Sequence, residues 1–272
     1  MIHRGGHKAK KSLSQNFLID PKLQRKIVWA IDPTPEDRVL EIGPGKGALT
    51  RHLASCVGHL TLVELDDKLA AELQEEYGCR EDVVVIHGDA LELSVAEIAG
   101  AEPLKVIGNI PYGITTPIIF HLLDQRPRPQ LIVLTVQKEV ARRLAARPGT
   151  KDYGALTVGV QAVARVELLF AISRAAFSPR PDVDSMVVRI VPESPAPLAA
   201  QQEDALRTLT RAAFQRRRKQ FQKVLRQAPE YSLSSEAVAG VLQSVGIDPA
   251  TRPDALPVAD YIHLAAALSK AG

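Results

Sequence analysis

Short, dense apolar runs separated by turn-forming residues set the rhythm of the first two thirds of the chain. Arg38–Ile42, Leu60–Leu65, Val83–His87, Leu104–Gly108 and Leu131–Val136 are each about the length of a strand, rich in Val, Ile and Leu. Runs that do not alternate with polar residues read as strands buried on both faces, as in parallel sheets. Between them the apolar spacing changes to three and four. Leu23, Ile27, Val28 and Ile31 share one helix face, and so do Ile118, Ile119, Leu122 and Leu123. Asp20 followed by Pro21 is a cap and first-turn pair for the earlier of these helices. Two further β-like runs, 164–170 and 185–191, precede the proline-rich stretch Pro192–Pro197, which reads as a linker. Beyond it only helical spacing is found, as in Leu206, Leu209, Ala213 and Phe214, and a last helix over 259–267. The pattern predicts an α/β sheet domain over 1–194 and a small all-helical domain over 195–272.

The candidate chemistry lies at the carboxyl ends of the predicted strands, the edge at which open α/β sheets bind ligands. The first strand runs into Gly43-Pro44-Gly45-Lys46-Gly47, a glycine loop opening a helix, where the backbone can approach a ligand closely. Glu64 ends the second strand, about 20 residues on, where an acid accepts hydrogen bonds from ribose hydroxyls. Asp89 follows the third strand and can accept from an adenine amino group. Gly43, Gly45 and Ala48 also fit the dinucleotide fingerprint, but a further glycine at 47 and the acid at 89 favour an adenosyl ligand without a pyrophosphate. The fourth strand delivers Asn109-Ile110-Pro111-Tyr112. Asn supplies a carbonyl acceptor, Pro stiffens the backbone, and Tyr offers a face for a nucleobase. Taken alone, the same four residues also describe a proline turn with a buried tyrosine.

Other segments stay open to two readings. Gln15 and Asn16, just before the first helix, either close over a ligand or are loop residues. Phe177, held in Phe177-Ser178-Pro179-Arg180-Pro181, either faces Tyr112 across a base or anchors a hairpin in the core. Arg142 and Arg143 are RNA contacts or a solvated helix face.

Charge adds a partner class. The net charge is only +3, yet cations cluster: Lys8, Lys10 and Lys11 in a basic arm over 1–11, and Arg216-Arg217-Arg218-Lys219 in the helical domain. Such clusters attract phosphate. Hydrophobic residues make up 46% of 272, enough for a substantial core, and no run approaches the roughly 20 apolar residues of a membrane span. With two cysteines, Cys56 and Cys79, neither a disulfide framework nor zinc-ligand spacing is present, so no metal is expected. The basic N-terminus lacks the apolar core of a signal peptide, and a soluble cytoplasmic protein is expected.

The combination of Ser14–Asp20, Glu41–Thr50, Leu62–Asp66, Gly88–Leu91, Gly108–Tyr112, Gln137–Arg143, Phe177–Val183, Phe214–Leu225 and Gly246–Pro249 resembles the rRNA adenine dimethyltransferases of the KsgA/RsmA type over nearly the whole chain. The resemblance implies a Rossmann-like, seven-stranded methyltransferase sheet with S-adenosyl-L-methionine as donor. It implies donor contacts at Gln15, Asn16, Leu18, Gly43, Gly45, Glu64, Leu65, Asp89, Ala90 and Asn109, and target-base handling by Asn109, Ile110, Pro111, Tyr112 and Phe177. The implied reaction dimethylates the N6 amines of two adjacent adenosines in the 3′-terminal hairpin of 16S small-subunit rRNA. The expected substrate is an immature 30S particle, bound by a monomer, with a role in small-subunit biogenesis. Alternatives are a large-subunit rRNA methyltransferase of the antibiotic-resistance type and a non-catalytic ribosome-assembly or RNA-binding factor. An NAD-dependent dehydrogenase leaves Asn109–Tyr112 unexplained.

Overall fold

The structure is a computed structural model that describes residues 15–231 and 233–271. In chain order its elements are β1 (Phe17–Leu18), α1 (Pro21–Trp29), β2 (Arg38–Ile42), α2 (Thr50–Leu53), β3 (His59–Glu64), α3 (Asp67–Tyr77), β4 (Val83–His87), α4 (Val95–Ala99), β5 (Leu104–Gly108), α5 (Thr115–Asp124), β6 (Leu131–Gln137), α6 (Lys138–Leu144), α7 (Ala155–Gln161), β7 (Ala164–Ile172), β8 (Phe177–Ser178), β9 (Ser185–Pro192), α8 (Ala200–Gln215), α9 (Phe221–Gln227), α10 (Ser235–Ser244) and α11 (Val258–Ala271). The described residues form two compact units. One runs to Ala141 and takes in Glu167–Val191; the other comprises Arg142–Val166 and the chain from Pro192 onward.

The first unit is built on a seven-stranded sheet of order β4-β3-β2-β5-β6-β9-β7. The pairs β4·β3, β3·β2, β2·β5 and β5·β6 are parallel, and β9 joins β6 antiparallel. The central strands are largely apolar and buried; Leu62, Val106, Ile107 and Val133 have no exposed surface. The strand order reverses between β2 and β5, which makes the crevice at their carboxyl ends a topological switch point. A separate ribbon pairs β1 with β8, Phe17 opposite Ser178 and Leu18 opposite Phe177. Asp20 caps α1, its Oδ1 accepting from the amides of Lys22 (2.8 Å) and Leu23 (3.3 Å), with Pro21 at the first helical position. The buried Gln24 Nε2 donates to the Leu18 carbonyl at 2.9 Å and ties α1 to β1.

Among the described residues the second unit is helical apart from the start of β7 and the last residue of β9, with an aromatic centre. Phe214 lies between Tyr153 and Tyr261, at ring-centroid separations of 6.0 and 5.8 Å, and Phe221 meets Tyr261 edge-on at 5.7 Å. The buried Tyr153 hydroxyl donates to the Leu256 carbonyl at 2.8 Å. That packing explains why 142–166 clusters with the C-terminal helices, whereas the linker composition draws the boundary at 194 and leaves this segment with the sheet. Among the described residues no helix is long and apolar enough to cross a membrane.

Candidate active site

Strand register puts three functional positions side by side. Ile42 of β2 is paired with Val63 of β3 and with Gly108 of β5. Gly43, Glu64 and Asn109 each follow one residue beyond that row, at the mouth of the switch-point crevice. Gly108 has no room for a side chain, since a Cβ there would lie 2.8 Å from the Ile42 carbonyl oxygen. The glycine before Asn109 is thus what lets β5 approach β2 closely and set Asn109 beside the glycine loop.

The crevice opens into a cleft that gathers Gln15, Asn16, Leu18, Gly43, Gly45, Glu64, Asn109, Ile110, Pro111 and Tyr112 from the residues expected on sequence grounds. Gly45 takes φ +58°, a conformation that disfavours a Cβ, and its amide donates to Glu64 Oε2 at 2.9 Å. The Asp66 amide donates to Glu64 Oε1, also at 2.9 Å. The Glu64 carboxyl is therefore held in a fixed plane, and acceptor capacity remains on it for a ligand hydroxyl. Burial raises its pKa, against the lowering effect of these amide hydrogen bonds. Asn109 Nδ2 donates to the Asn16 carbonyl at 3.2 Å, which fixes the amide's orientation and leaves Oδ1 as the end available to a ligand. Tyr112, half-buried, shares a 2.6 Å hydrogen bond with Ser185 Oγ, itself fully buried at the start of β9. Burial raises the Tyr112 pKa, so the hydroxyl stays protonated in the neutral range.

Four expected residues do not line the cleft. Leu65 and Asp89 lie at the same sheet edge, Leu65 48% exposed and Asp89 with Oδ1 accepting from the Leu91 amide at 2.9 Å, while Ala90 is buried. Phe177 takes the core-anchor side of its two readings in this structure: at 3% exposure its ring belongs to the core cluster with Ile172 and Val187, and its backbone pairs with Leu18. In this structure it offers no face to a base; it holds β1, and with it the wall formed by Asn16–Leu18.

Sequence reasoning passed over three contributors. Phe17 stands over the glycine loop, its ring 3.1 Å from where a Gly45 Cβ would be, with Lys46 Nζ 4.8 Å from the ring centroid. Ser185 is the second. Glu41, inside β2 and 1% exposed, is the third; Thr50 Oγ1 donates to its Oε2 at 2.7 Å. A charged residue inside an otherwise apolar strand was the available signal. Burial, opposed by the Thr50 hydrogen bond and reinforced by nearby Glu64, raises its pKa to about 8. A carboxyl whose folded pKa is raised binds its proton more tightly in the native state. Its contribution favours folding at low pH and is lost as pH rises from about 4.5 through about 8. Glu41→Gln should therefore flatten that part of the decline in thermal midpoint. Parallel melts of both proteins across this range check it, and an unchanged slope excludes Glu41 as the source.

The cationic candidates divide. Lys8, Lys10 and Lys11 lie outside the described residues. Arg142 is 51% exposed and 3.6 Å from Asp152, a surface pair, and Arg143 is exposed. Arg218 and Lys219 are exposed. Arg217 departs from its expected role: its guanidinium binds Asp254 Oδ2 (3.1 Å) and the carbonyls of Lys151 (2.5 Å) and Thr150 (2.8 Å). It braces two loops of the helical unit and is committed to that task.

The chain is similar to known proteins over nearly its whole length. Residues 6–270 match the family model described as ribosomal RNA adenine dimethylase. The ribosomal RNA small subunit methyltransferase A of Marinobacter nauticus is 39% identical over 272 residues, covering 100% of this chain and 96% of that protein. Its counterpart in Aromatoleum aromaticum is 42% identical over 258 residues, covering 95% and 93%. Among solved structures, a dimethyladenosine transferase from Plasmodium falciparum superposes with a TM-score of 0.82 at 26% identity, covering 94% of this chain and 98% of that one. The 23S rRNA methyltransferase ErmE gives a TM-score of 0.69 at 28% identity, covering 93% and 100%.

Proposed function

Because this chain belongs to the ribosomal RNA adenine dimethylase family, we propose that it dimethylates the N6 amines of two adjacent adenosines in the 3′-terminal hairpin of 16S rRNA, with S-adenosyl-L-methionine as donor. The observation that carries this reading is the junction of two half-sites in one cleft. A glycine loop with a braced carboxyl lies next to an asparagine whose amide nitrogen is already committed and whose oxygen is not.

The donor half fits the residues present. Gly43 and Gly45 leave space that side chains would fill, the fixed Glu64 carboxyl suits a ribose diol, and Asn16, Phe17 and Leu18 wall the cleft opposite. Bound there, S-adenosyl-L-methionine supplies a methyl group on a positively charged sulfur, an electrophile that needs no metal or further activation.

The chain's own part is to present the nucleophile. An adenine amine is weakly nucleophilic because its lone pair is delocalised into the ring. Asn109 Oδ1 and the Ile110 carbonyl accept its two hydrogens, which draws the nitrogen toward a pyramidal shape and aims its lone pair. Tyr112 stacks on the base taken out of its helix. No side chain has to act as a strong base, since the methylated ammonium is acidic and loses its proton afterwards. For the second methylation one hydrogen is already replaced, so one of the two acceptors suffices. Exposed Arg218 and Lys219 supply phosphate contacts on the helical unit. The reading has a monomer acting in the cytoplasm on immature 30S particles.

Labelled-methyl transfer to ribosomal subunits from cells lacking this chain tests the proposal. Label is expected as N6,N6-dimethyladenosine in small-subunit RNA. Label confined to large subunits would make it an enzyme of the resistance type, and no label in either would leave an assembly or RNA-binding factor.

A further inference from the structure

The outer face of α1 carries side chains that the cleft does not use. Trp29, the single tryptophan of the chain, is 62% exposed. Lys22, Arg25 and Lys26 precede it at helical spacings of seven, four and three, which sets all four on one face, and all are exposed. Lys26 Nζ sits 4.0 Å from the centroid of the Phe170 ring on β7. The cationic field extends to α2: after burial, the charges of Arg25 and Arg51 are what hold the His52 imidazole below its usual range. An isolated exposed apolar side chain is unremarkable. An exposed indole in a row of three cations is the composition of surfaces that bind single-stranded nucleic acid, where cations follow the phosphates and an aromatic face takes a base.

Position adds a second argument. Asn16, Phe17 and Leu18 line the cleft, and α1 begins at Pro21, braced to that wall by Gln24 on the Leu18 carbonyl. At 1.5 Å per residue, α1 leads away from the cleft wall for about 13 Å. We propose that this face is an RNA track, with phosphates on Lys22, Arg25 and Lys26 and one nucleobase stacked on Trp29, holding single-stranded RNA that flanks the adenosine in the cleft. The proposal takes from the preceding reading only that the ligand is RNA. Its readouts are binding measurements, so it stands or falls separately from methyl transfer.

The single tryptophan makes the test direct. The full chain is titrated with a short unstructured oligoadenylate while Trp29 emission is followed, and in parallel with phosphatidylglycerol vesicles. Saturable quenching by the oligonucleotide is expected. With a labelled oligonucleotide, Trp29→Ala should weaken binding about tenfold, within the range for loss of one stacked base. The triple variant Lys22→Ala, Arg25→Ala, Lys26→Ala should make the log–log salt slope shallower by about 2, from three lost phosphate contacts on a single strand. Equal melting temperatures confirm that the variants are folded. RNA binding without a change in emission, or variants that bind as the parent does, would overturn the proposal. So would a response to vesicles and none to RNA, which would make the face a membrane contact.

Discussion

Asn109→Ala is expected to lower the turnover number for methyl transfer by about 10²- to 10³-fold, the usual loss when one preorganised polar partner of the reacting group is removed. Two functions meet in this side chain. Its nitrogen ties β5 to the Asn16 carbonyl, and its oxygen is the proposed acceptor for the target amine. The tie is a single partly buried hydrogen bond worth about 1 kcal/mol, so the variant should stay folded and melt only slightly lower. Asn109→Asp separates the two functions. It keeps an acceptor toward the amine but sets a carboxylate against the Asn16 carbonyl, loosening the wall that covers the donor half. The aspartate variant should retain more turnover than the alanine variant while its apparent Kd for S-adenosyl-L-methionine rises. Single-turnover rates at saturating donor, beside calorimetric donor titrations, check both statements. Near-parental turnover in Asn109→Ala would remove the asparagine from the chemistry.

The sheet was legible because its parallel strands are dense apolar runs. The bounds expected for Arg38–Ile42, Val83–His87 and Leu104–Gly108 coincide with β2, β4 and β5, since each is a Val-, Ile- or Leu-rich run with turn residues at its ends; β2 and β5 are largely buried inside the sheet, whereas β4 is its edge strand, with Val84 54% exposed. The glycine loop, Glu64 and Asn109–Tyr112 were legible for a related reason: each is a polar or backbone-special residue directly after such a run. What escaped was set by contacts between distant parts of the sequence. The β1·β8 ribbon joins two-residue segments whose pairing leaves no local period, and it is this ribbon that buries Phe177 and lays Phe17 over Gly45. Arg217 sits in a run of four cations that looks uniform in sequence. Only the arrival of Asp254 and of the 150–151 carbonyls distinguishes it from exposed Arg218 and Lys219. Ser185 is an ordinary strand-opening serine until β9 is laid beside β6, and its meaning depends on Tyr112.

Tyr112→Ala should cost more activity than Tyr112→Phe, because the base takes the ring face and not the hydroxyl. Loss of one stacked base is worth about 1–3 kcal/mol, which places the alanine variant roughly 5- to 150-fold below the parent in kcat/KM. The phenylalanine variant keeps the face and loses the 2.6 Å bond to Ser185. Its penalty should fall on stability, since a buried serine hydroxyl is left without its partner, at about 1–3 kcal/mol. Ser185→Ala breaks the same bond from the other side. It leaves the hydroxyl of a tyrosine that is only half-buried, so it should destabilise less. The double variant Tyr112→Phe, Ser185→Ala then removes both polar ends together, and replacing both partners is close to neutral. It should melt higher than Tyr112→Phe alone, a non-additivity that a double-mutant cycle reads directly. Activity should follow ring order and not the hydroxyl, with both single variants and the double within a few-fold of the parent. The raised Tyr112 pKa adds a further check: with the hydroxyl protonated in the neutral range, the pH–rate profile of Tyr112→Phe should keep the parent's shape there. Equal losses in Tyr112→Ala and Tyr112→Phe would shift the role from the ring to the hydroxyl and break the stacking account.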